Sequence, residues 1–286
     1  MPELPEVHAL VSDLRGRLVG RQVDRLDVVS FAVLKTFDPP FTQLHDQSVL
    51  DVQRHGKFLD LAIGDLHLVM HLARAGWVRW RDAAPKPAAR PGKTALAARL
   101  VLDDGSGFDV TEAGTKKSLA IYVVRDPSEV PGIARLGPDP LDGAFTEERF
   151  AEILAASGRS QIKGVLRNQG LIAGIGNAYS DEILHVARMS PYKPASMPAD
   201  DVANLYAAMQ TTLREALARA DGLAASELKA EKKSGLRVHG RAGEACPICG
   251  DTIRQVTFAD TAFQYCPTCQ TGGKPLADRV LSRLLK

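Results

Sequence analysis

Residues 1–18 read MPELPEVHALVSDLRGRL, and this stretch carries two readings at once. The first is structural. Leu4, Val7, Val11, Leu14 and Leu18 recur at helical spacing, which predicts an amphipathic helix with one face turned to a core. Pro2, Pro5, Glu3 and Glu6 suit a helix start, where a missing N–H costs nothing and carboxylates meet the positive end of the helix dipole. The second reading is chemical. A methionine before a small residue is commonly removed, which leaves Pro2 with a free secondary amine. Such an amine attacks an aldehyde-like sugar carbon and forms an iminium that cannot discharge by losing a proton, the Schiff-base form of covalent catalysis. Glu3 then lies beside the nucleophile. Taken alone, the stretch favours a plain helix start; the rest of the chain reverses that balance.

Outward from this helix, residues 22–126 read as strands. Lys57–Ile63, Leu66–His71, Ala97–Leu102 and Leu119–Val124 are rich in apolar and β-branched residues, and Asp103-Asp104-Gly105-Ser106-Gly107 between two of them is a hairpin turn. An antiparallel sandwich or barrel is the expectation, with a long loop over the Pro-, Ala- and Lys-rich segment Ala83–Lys93. The next stretch, VPGIARLGPDPLDG from Val130 to Gly143, holds three prolines and three glycines and resembles an interdomain linker. Helices follow. Thr146 with Glu147 and Glu148 predicts a helix start, and Val202, Leu205, Tyr206, Met209, Leu213 and Leu217 form the stripe of a long helix.

At 286 residues the chain exceeds the usual single-domain size, so two domains with a small appendage are expected. Net charge is only +2, but the last 61 residues hold ten Lys and Arg against six Asp and Glu, an excess that suits an anionic polymer. No apolar run reaches membrane-spanning length, and the N-terminus is acidic rather than a basic leader. The expectation is a monomeric cytoplasmic protein, nucleoid-associated if bacterial.

All four cysteines lie in the tail: Cys246, Cys249, sixteen residues, then Cys266 and Cys269. Two C-x2-C knuckles supply four thiolates to one tetrahedral zinc, and with every position filled by protein the Zn2+ is structural. Upstream, residues 171–182 read LIAGIGNAYSDE. Glycines before an Asn at a helix start allow close backbone approach, and the unpaired N–H groups there face anions such as phosphate. A small-residue turn with an Asn cap serves structural ends as well.

Six motifs occur in order: MPELPEV at the N-terminus, HGKFL around Lys57, LGPDPL, AGIGNAYSDEIL, VHGRAGEACPICG and YCPTCQ. Together they resemble the formamidopyrimidine-DNA glycosylase and endonuclease VIII family of base-excision repair enzymes, over essentially the whole chain. The resemblance implies a multidomain α+β fold: an N-terminal helix with an antiparallel β-sandwich over 1–129, a linker over 130–145, a helical helix-two-turn-helix domain over 146–236, and a four-cysteine zinc finger over 237–286. It implies a DNA glycosylase that is also an AP lyase, binding damaged DNA, duplex or single-stranded. Pro2 is the implied nucleophile toward C1′, with Glu3 shuttling protons near the sugar ring oxygen, Glu6 supporting Glu3 from the same helix and Lys57 contacting phosphate near the site. His71, Lys163 and Asn177 match positions that hold the DNA backbone.

The chain departs from the family in three places. His71-Leu72-Ala73-Arg74-Ala75-Gly76 carries Arg74 where the family has a void-filling Met. Residues Thr111 to Ser118 lack the aromatic wedge of oxidised-purine enzymes, and the planar guanidinium of Arg74 is the candidate to fill that space. Thr261 stands where the family's finger carries a phosphate-clamping Arg; Arg254, or Lys232 and Lys233, are the candidates to compensate. These departures keep open two alternatives on the same scaffold, a damage-binding protein with reduced catalysis and an AP lyase with little base excision.

Overall fold

The computed structural model describes residues 1–85, 95–114, 117–258 and 261–277. Most of the expected Ala83–Lys93 loop, and Thr115 and Lys116, lie outside them. In chain order the elements are α1 (Leu4–Leu18), β1 (Val23–Val28), β2 (Val49–His55), β3 (Phe58–Ile63), β4 (Leu66–His71), β5 (Gly76–Arg81), β6 (Leu96–Leu102), β7 (Gly107–Glu112) and β8 (Ala120–Val124). They continue with α2 (Glu147–Ser157), α3 (Ile162–Arg167), α4 (Asn177–Val186), α5 (Ala199–Ala220), α6 (Leu228–Gly235), β9 (Arg254–Phe258), β10 (Thr261–Tyr265) and α7 (Pro267–Thr271).

The chain divides into two compact units, Met1–Leu136 with Ala220–Ala230, and Gly137–Arg219 with Glu231–Lys286. In the first, two four-stranded antiparallel sheets, β1-β6-β7-β5 and β2-β3-β4-β8, make the expected sandwich. Alternation along the strands builds its core: Leu59, Leu61 and Ile63 of β3 are fully buried and join Leu68, Leu100, Phe108 and Val110 in one cluster. The stripe of α1 closes it, since Val7, Leu14 and Leu18 are fully buried in the same cluster. The proline- and glycine-rich stretch does not start as free linker. Val130 is fully buried with Val69 and Val124, a small second cluster on which Phe58 and Ile133 pack. Ala220, Ala225 and Leu228 also belong to the first core, where Trp77 Nε1 donates to the carbonyl of Ala225 at 2.9 Å.

The second unit is helical, followed by the finger hairpin of β9 and β10 and the short α7. Thr146 caps α2 as expected, its side chain accepting the N–H of Arg149. On α5, Val202, Leu205, Met209 and Leu213 are buried. The stripe turns at its end, where Ala216 is buried and Leu217 is only half-buried. A period of 3.6 residues drifts relative to the residues chosen by spacing alone, so the last turn presents the smaller neighbour.

Candidate functional site

The start of α1 is built by its two acids. Glu3 is the N-cap and Glu6 the third helical residue; the Glu3 carboxylate accepts the N–H of Glu6, and Glu6 Oε2 accepts the N–H of Glu3 at 2.7 Å. Both side chains are nearly inaccessible, and Pro2 is buried before them, with Met1 exposed. While Met1 is attached, the Pro2 nitrogen is an amide; its removal makes that nitrogen a secondary amine next to the buried capping box.

The same unit carries Lys57, His71 and Arg74 on neighbouring turns. Lys57 is buried and follows Gly56, whose φ of 55° belongs to the left-handed region that glycine adopts most readily. His71 ends β4 opposite Phe58, with ring centroids 4.7 Å apart. Burial, with a smaller contribution from the Lys57 charge, pushes the His71 imidazole down to about 4. Arg74 is exposed in a tight turn in which Gly76 N–H donates to the Leu72 carbonyl at 2.8 Å. A Cβ on Gly76 would lie 2.1 Å from that carbonyl oxygen, so the turn requires glycine.

This turn adjoins the other departure. Gly76 pairs with Glu112, and the Ala113 N–H donates to Ala75. Glu112, buried, accepts the N–H groups of Ser118 and Leu119 at 2.7 and 2.9 Å. One carboxylate therefore closes the base of the 113–118 segment beside Arg74, although Thr115 and Lys116 are outside the described residues.

In the second unit, the family resemblance places both Asn177 and Lys163 at the DNA backbone, with a helix cap as the structural alternative for Asn177. Gly176 is the N-cap instead, and Asn177 begins the helix with Nδ2 donating to the carbonyl of Ala262 in the finger hairpin at 2.7 Å. Lys163 is buried, and its ammonium donates to Asp181 Oδ1, Ser180 Oγ and the Asn177 carbonyl at 2.5, 2.7 and 3.3 Å. An ammonium has three N–H groups, so these acceptors turn Lys163 inward, toward holding α4 rather than reaching a phosphate. The turn before α4 is held by Gln169, which donates to the carbonyls of Arg167 and Ile175 and accepts from the N–H of Gly174.

Three residues of α4 that the sequence reading passed over, and the histidine they reach, complete this region. Asp181 Oδ2 meets His239 Nδ1 at 2.6 Å and accepts the Gln264 N–H at 3.2 Å. Glu182 accepts three successive backbone N–H groups, from Arg237, Val238 and His239, at 2.7 to 2.9 Å. Burial raises the Glu182 carboxyl above its ordinary value, and those three donors work against the rise. His185 Nε2 lies 3.3 Å from Cys246 Sγ, and burial, with Arg237 and Arg188, pushes its imidazole down to about 4. Asn177, Asp181 and His185 stand four residues apart on a helix whose residues 178–185 are all buried. That i, i+4 spacing of polar residues on a buried helix is the signal that could have found Asp181 and His185.

Arg254 is exposed on β9, its backbone paired with Tyr265, and Thr261 is half-buried opposite Phe258. Of the two other candidates, Lys232 is half-buried and lies over the Tyr179 ring at 4.8 Å, and Lys233 is exposed.

The four cysteine sulfurs lie within 4.8 Å of one another. Cys249 and Cys266 are 3.4 Å apart and Cys246 and Cys269 3.9 Å, well beyond a disulfide bond of about 2.05 Å. A tetrahedral zinc with bonds of about 2.3 Å sets its sulfurs about 3.8 Å apart, so the cluster has the dimensions of a metal site. Burial pushes the Cys266 thiol up to about 11 and Cys269 higher still; a divalent cation at the centre reverses that, since a coordinating thiol is deprotonated outright. Among the described residues no helix is long and apolar enough to cross a membrane.

The comparisons with known proteins agree with this architecture. A family model described as the formamidopyrimidine-DNA glycosylase N-terminal domain matches residues 1–115, and one described as the formamidopyrimidine-DNA glycosylase H2TH domain matches residues 136–227. The chain is 34% identical over 281 residues to a protein of Symbiobacterium thermophilum named formamidopyrimidine-DNA glycosylase, covering 94% of this chain and 89% of that one. It superposes on the crystal structure of the MutM (Fpg) protein from Thermus thermophilus with a TM-score of 0.79 at 31% identity, covering 96% of this chain and 100% of that one. The Lactococcus lactis formamidopyrimidine-DNA glycosylase bound to DNA containing an AP site gives 0.80 at 26% identity, covering 94% of this chain and 99% of that one.

Proposed function

The chain belongs to the formamidopyrimidine-DNA glycosylase family, and on that premise we propose that it excises a damaged base and then cuts the abasic strand through the Pro2 amine. The reading is carried by the capping box at the start of α1, which holds two buried carboxylates directly behind Pro2. The Pro2 nitrogen attacks C1′ of the extruded nucleotide, the glycosidic bond breaks, and the base leaves with a proton. Extrusion costs roughly a few kcal/mol and is easiest at a damaged pair. Glu3 protonates the sugar ring oxygen as the ring opens to the iminium, and Glu6 holds Glu3 in place. The iminium acidifies the C2′ hydrogen; its loss expels the 3′ phosphate and breaks the strand. Water then releases the sugar fragment and regenerates the amine.

Lys57, His71 and Asn177 are proposed to hold the DNA backbone, with Lys163 positioning α4 behind Asn177. Such contacts fix register without choosing the lesion. Arg74 fills space beside the extruded nucleotide, and Arg254 supplies a phosphate contact in a finger that has Thr261. The four cysteines hold one structural Zn2+, which supplies folding energy to the finger and no chemistry to the reaction. The protein works as a monomer in the cytoplasm, on the nucleoid if its host is bacterial.

Borohydride reduction tests this. Purified protein, its N-terminus checked by mass spectrometry, is mixed with duplex and single-stranded DNA carrying an abasic site, 8-oxoguanine or an oxidised pyrimidine. Covalent adducts on a base lesion are expected. Adducts on abasic DNA alone favour the lyase with little base excision, the reading to which Arg74 and Thr261 lend weight. No adduct on any DNA, with Met1 removed and metal bound, leaves a damage-binding protein.

A further inference from the structure

Helix α4 carries a histidine that the proposed reaction does not use. His185 is 3% exposed, lies about two turns beyond Asn177, and directs Nε2 at Cys246 Sγ, 3.3 Å away. Its other ring nitrogen, Nδ1, is buried without a hydrogen-bond partner among the described residues. The two tautomers are therefore unequal. With the proton on Nδ1, a buried N–H lacks an acceptor and the Nε2 lone pair faces a thiolate. With the proton on Nε2, the ring donates to sulfur and only an acceptor goes unmet, the milder defect.

Four thiolates around a divalent cation carry a net charge of −2, and Cys246 is among the buried ones, 3% exposed. A donated N–H draws part of that charge off the sulfur. It also fixes the ligand's orientation, as outer partners of metal ligands do. We propose that His185 is the outer-sphere partner of the metal centre, its Nε2–H donating to the metal-bound Cys246 thiolate and tying α4 to the loaded finger. The same helix reaches the finger through Asn177, Asp181 and Glu182, so metal loading is coupled to the helix that opens with Asn177. The inference rests on the reading that the four cysteines hold a metal.

The test uses the whole chain with 15N-labelled histidine, loaded with 113Cd2+ in place of Zn2+. The expected result is a His185 ring protonated at Nε2, with a scalar coupling from that proton through Cys246 Sγ to cadmium. A ring protonated at Nδ1, with no coupling, overturns the inference while leaving the metal site intact. Cadmium that does not bind the four cysteines overturns both. A kinetic arm measures Zn2+ release to a chelator from wild type, His185→Phe and His185→Gln. His185→Phe is expected to release about 10-fold faster, with His185→Gln, which keeps an N–H near the same place, recovering part of the difference. Equal rates in all three contradict the proposal. If His185→Phe does not fold, the cadmium measurement on the unaltered ring decides.

Discussion

Two pairs of buried carboxylates organise this chain, and they are held in opposite ways. Glu3 and Glu6 stand three residues apart and bind the backbone of their own helix. Asp181 and Glu182 are adjacent and bind groups beyond their own helix, Asp181 the Lys163 ammonium and the pair together Arg237, Val238, His239 and Gln264, 55 to 83 positions away in sequence. The first pair shapes one helix end and, with it, the surroundings of Pro2. The second docks the finger onto α4. Changes at the first should therefore alter chemistry with little loss of stability, and changes at the second should do the reverse.

The largest effect expected is on chemistry. Pro2→Leu keeps Met1, because a bulky second residue blocks its removal, and so buries the nucleophile's position in an amide. Borohydride-trapped adduct should fall by at least about 100-fold, as for a lost catalytic group, with DNA affinity nearly unchanged. Full adduct yield would break the assignment of Pro2. Next comes stability in the second unit. Asp181→Ala removes the carboxylate from the buried Lys163 ammonium and from His239, which should cost about 3–5 kcal/mol in urea unfolding. A loss near zero would mean that the finger is held by its metal and apolar contacts alone.

A smaller effect is expected from pH. His71 has an ordinary value of 6.5 and is held down to about 4 in the folded chain. Between those values the unfolded chain binds a proton that the folded one refuses, so stability falls as pH drops from about 6.5 to 4. The effect is at most about 3 kcal/mol. In His71→Leu that part of the acid limb should flatten; an unchanged slope would assign it to other groups. Smallest is Glu6→Gln, which keeps an acceptor for the Glu3 N–H and should cost about 1 kcal/mol or less. A loss as large as that of Asp181→Ala would erase the contrast between the two pairs.

The same contrast explains what could be read in advance. The stripe of α1, the strands Leu66–His71 and Leu119–Val124, the Asp103–Gly107 turn and the cysteine knuckles are all set by neighbours within a few residues, and each is present. Less legible are the positions whose partners sit on other elements. Gly176 holds the cap position, and the Asn177 amide instead donates to Ala262 in the finger hairpin. Lys163 turned inward because Asp181 waits one helix later. Val130, first residue of the Pro- and Gly-rich stretch, packs on nearby Val124 and on Val69 of β4, a partner that only the sheet pairing brings close. His185, one histidine on an apolar helix, looks like core until Cys246 is placed beside it.

The most direct test of the central claim is to find where the sugar is attached. After borohydride trapping on abasic DNA, nuclease and trypsin digestion leave a sugar fragment on one peptide. That mass is expected on the N-terminal peptide Pro2–Arg15, at the proline itself. A fragment carried by Lys57 or any other lysine would contradict it.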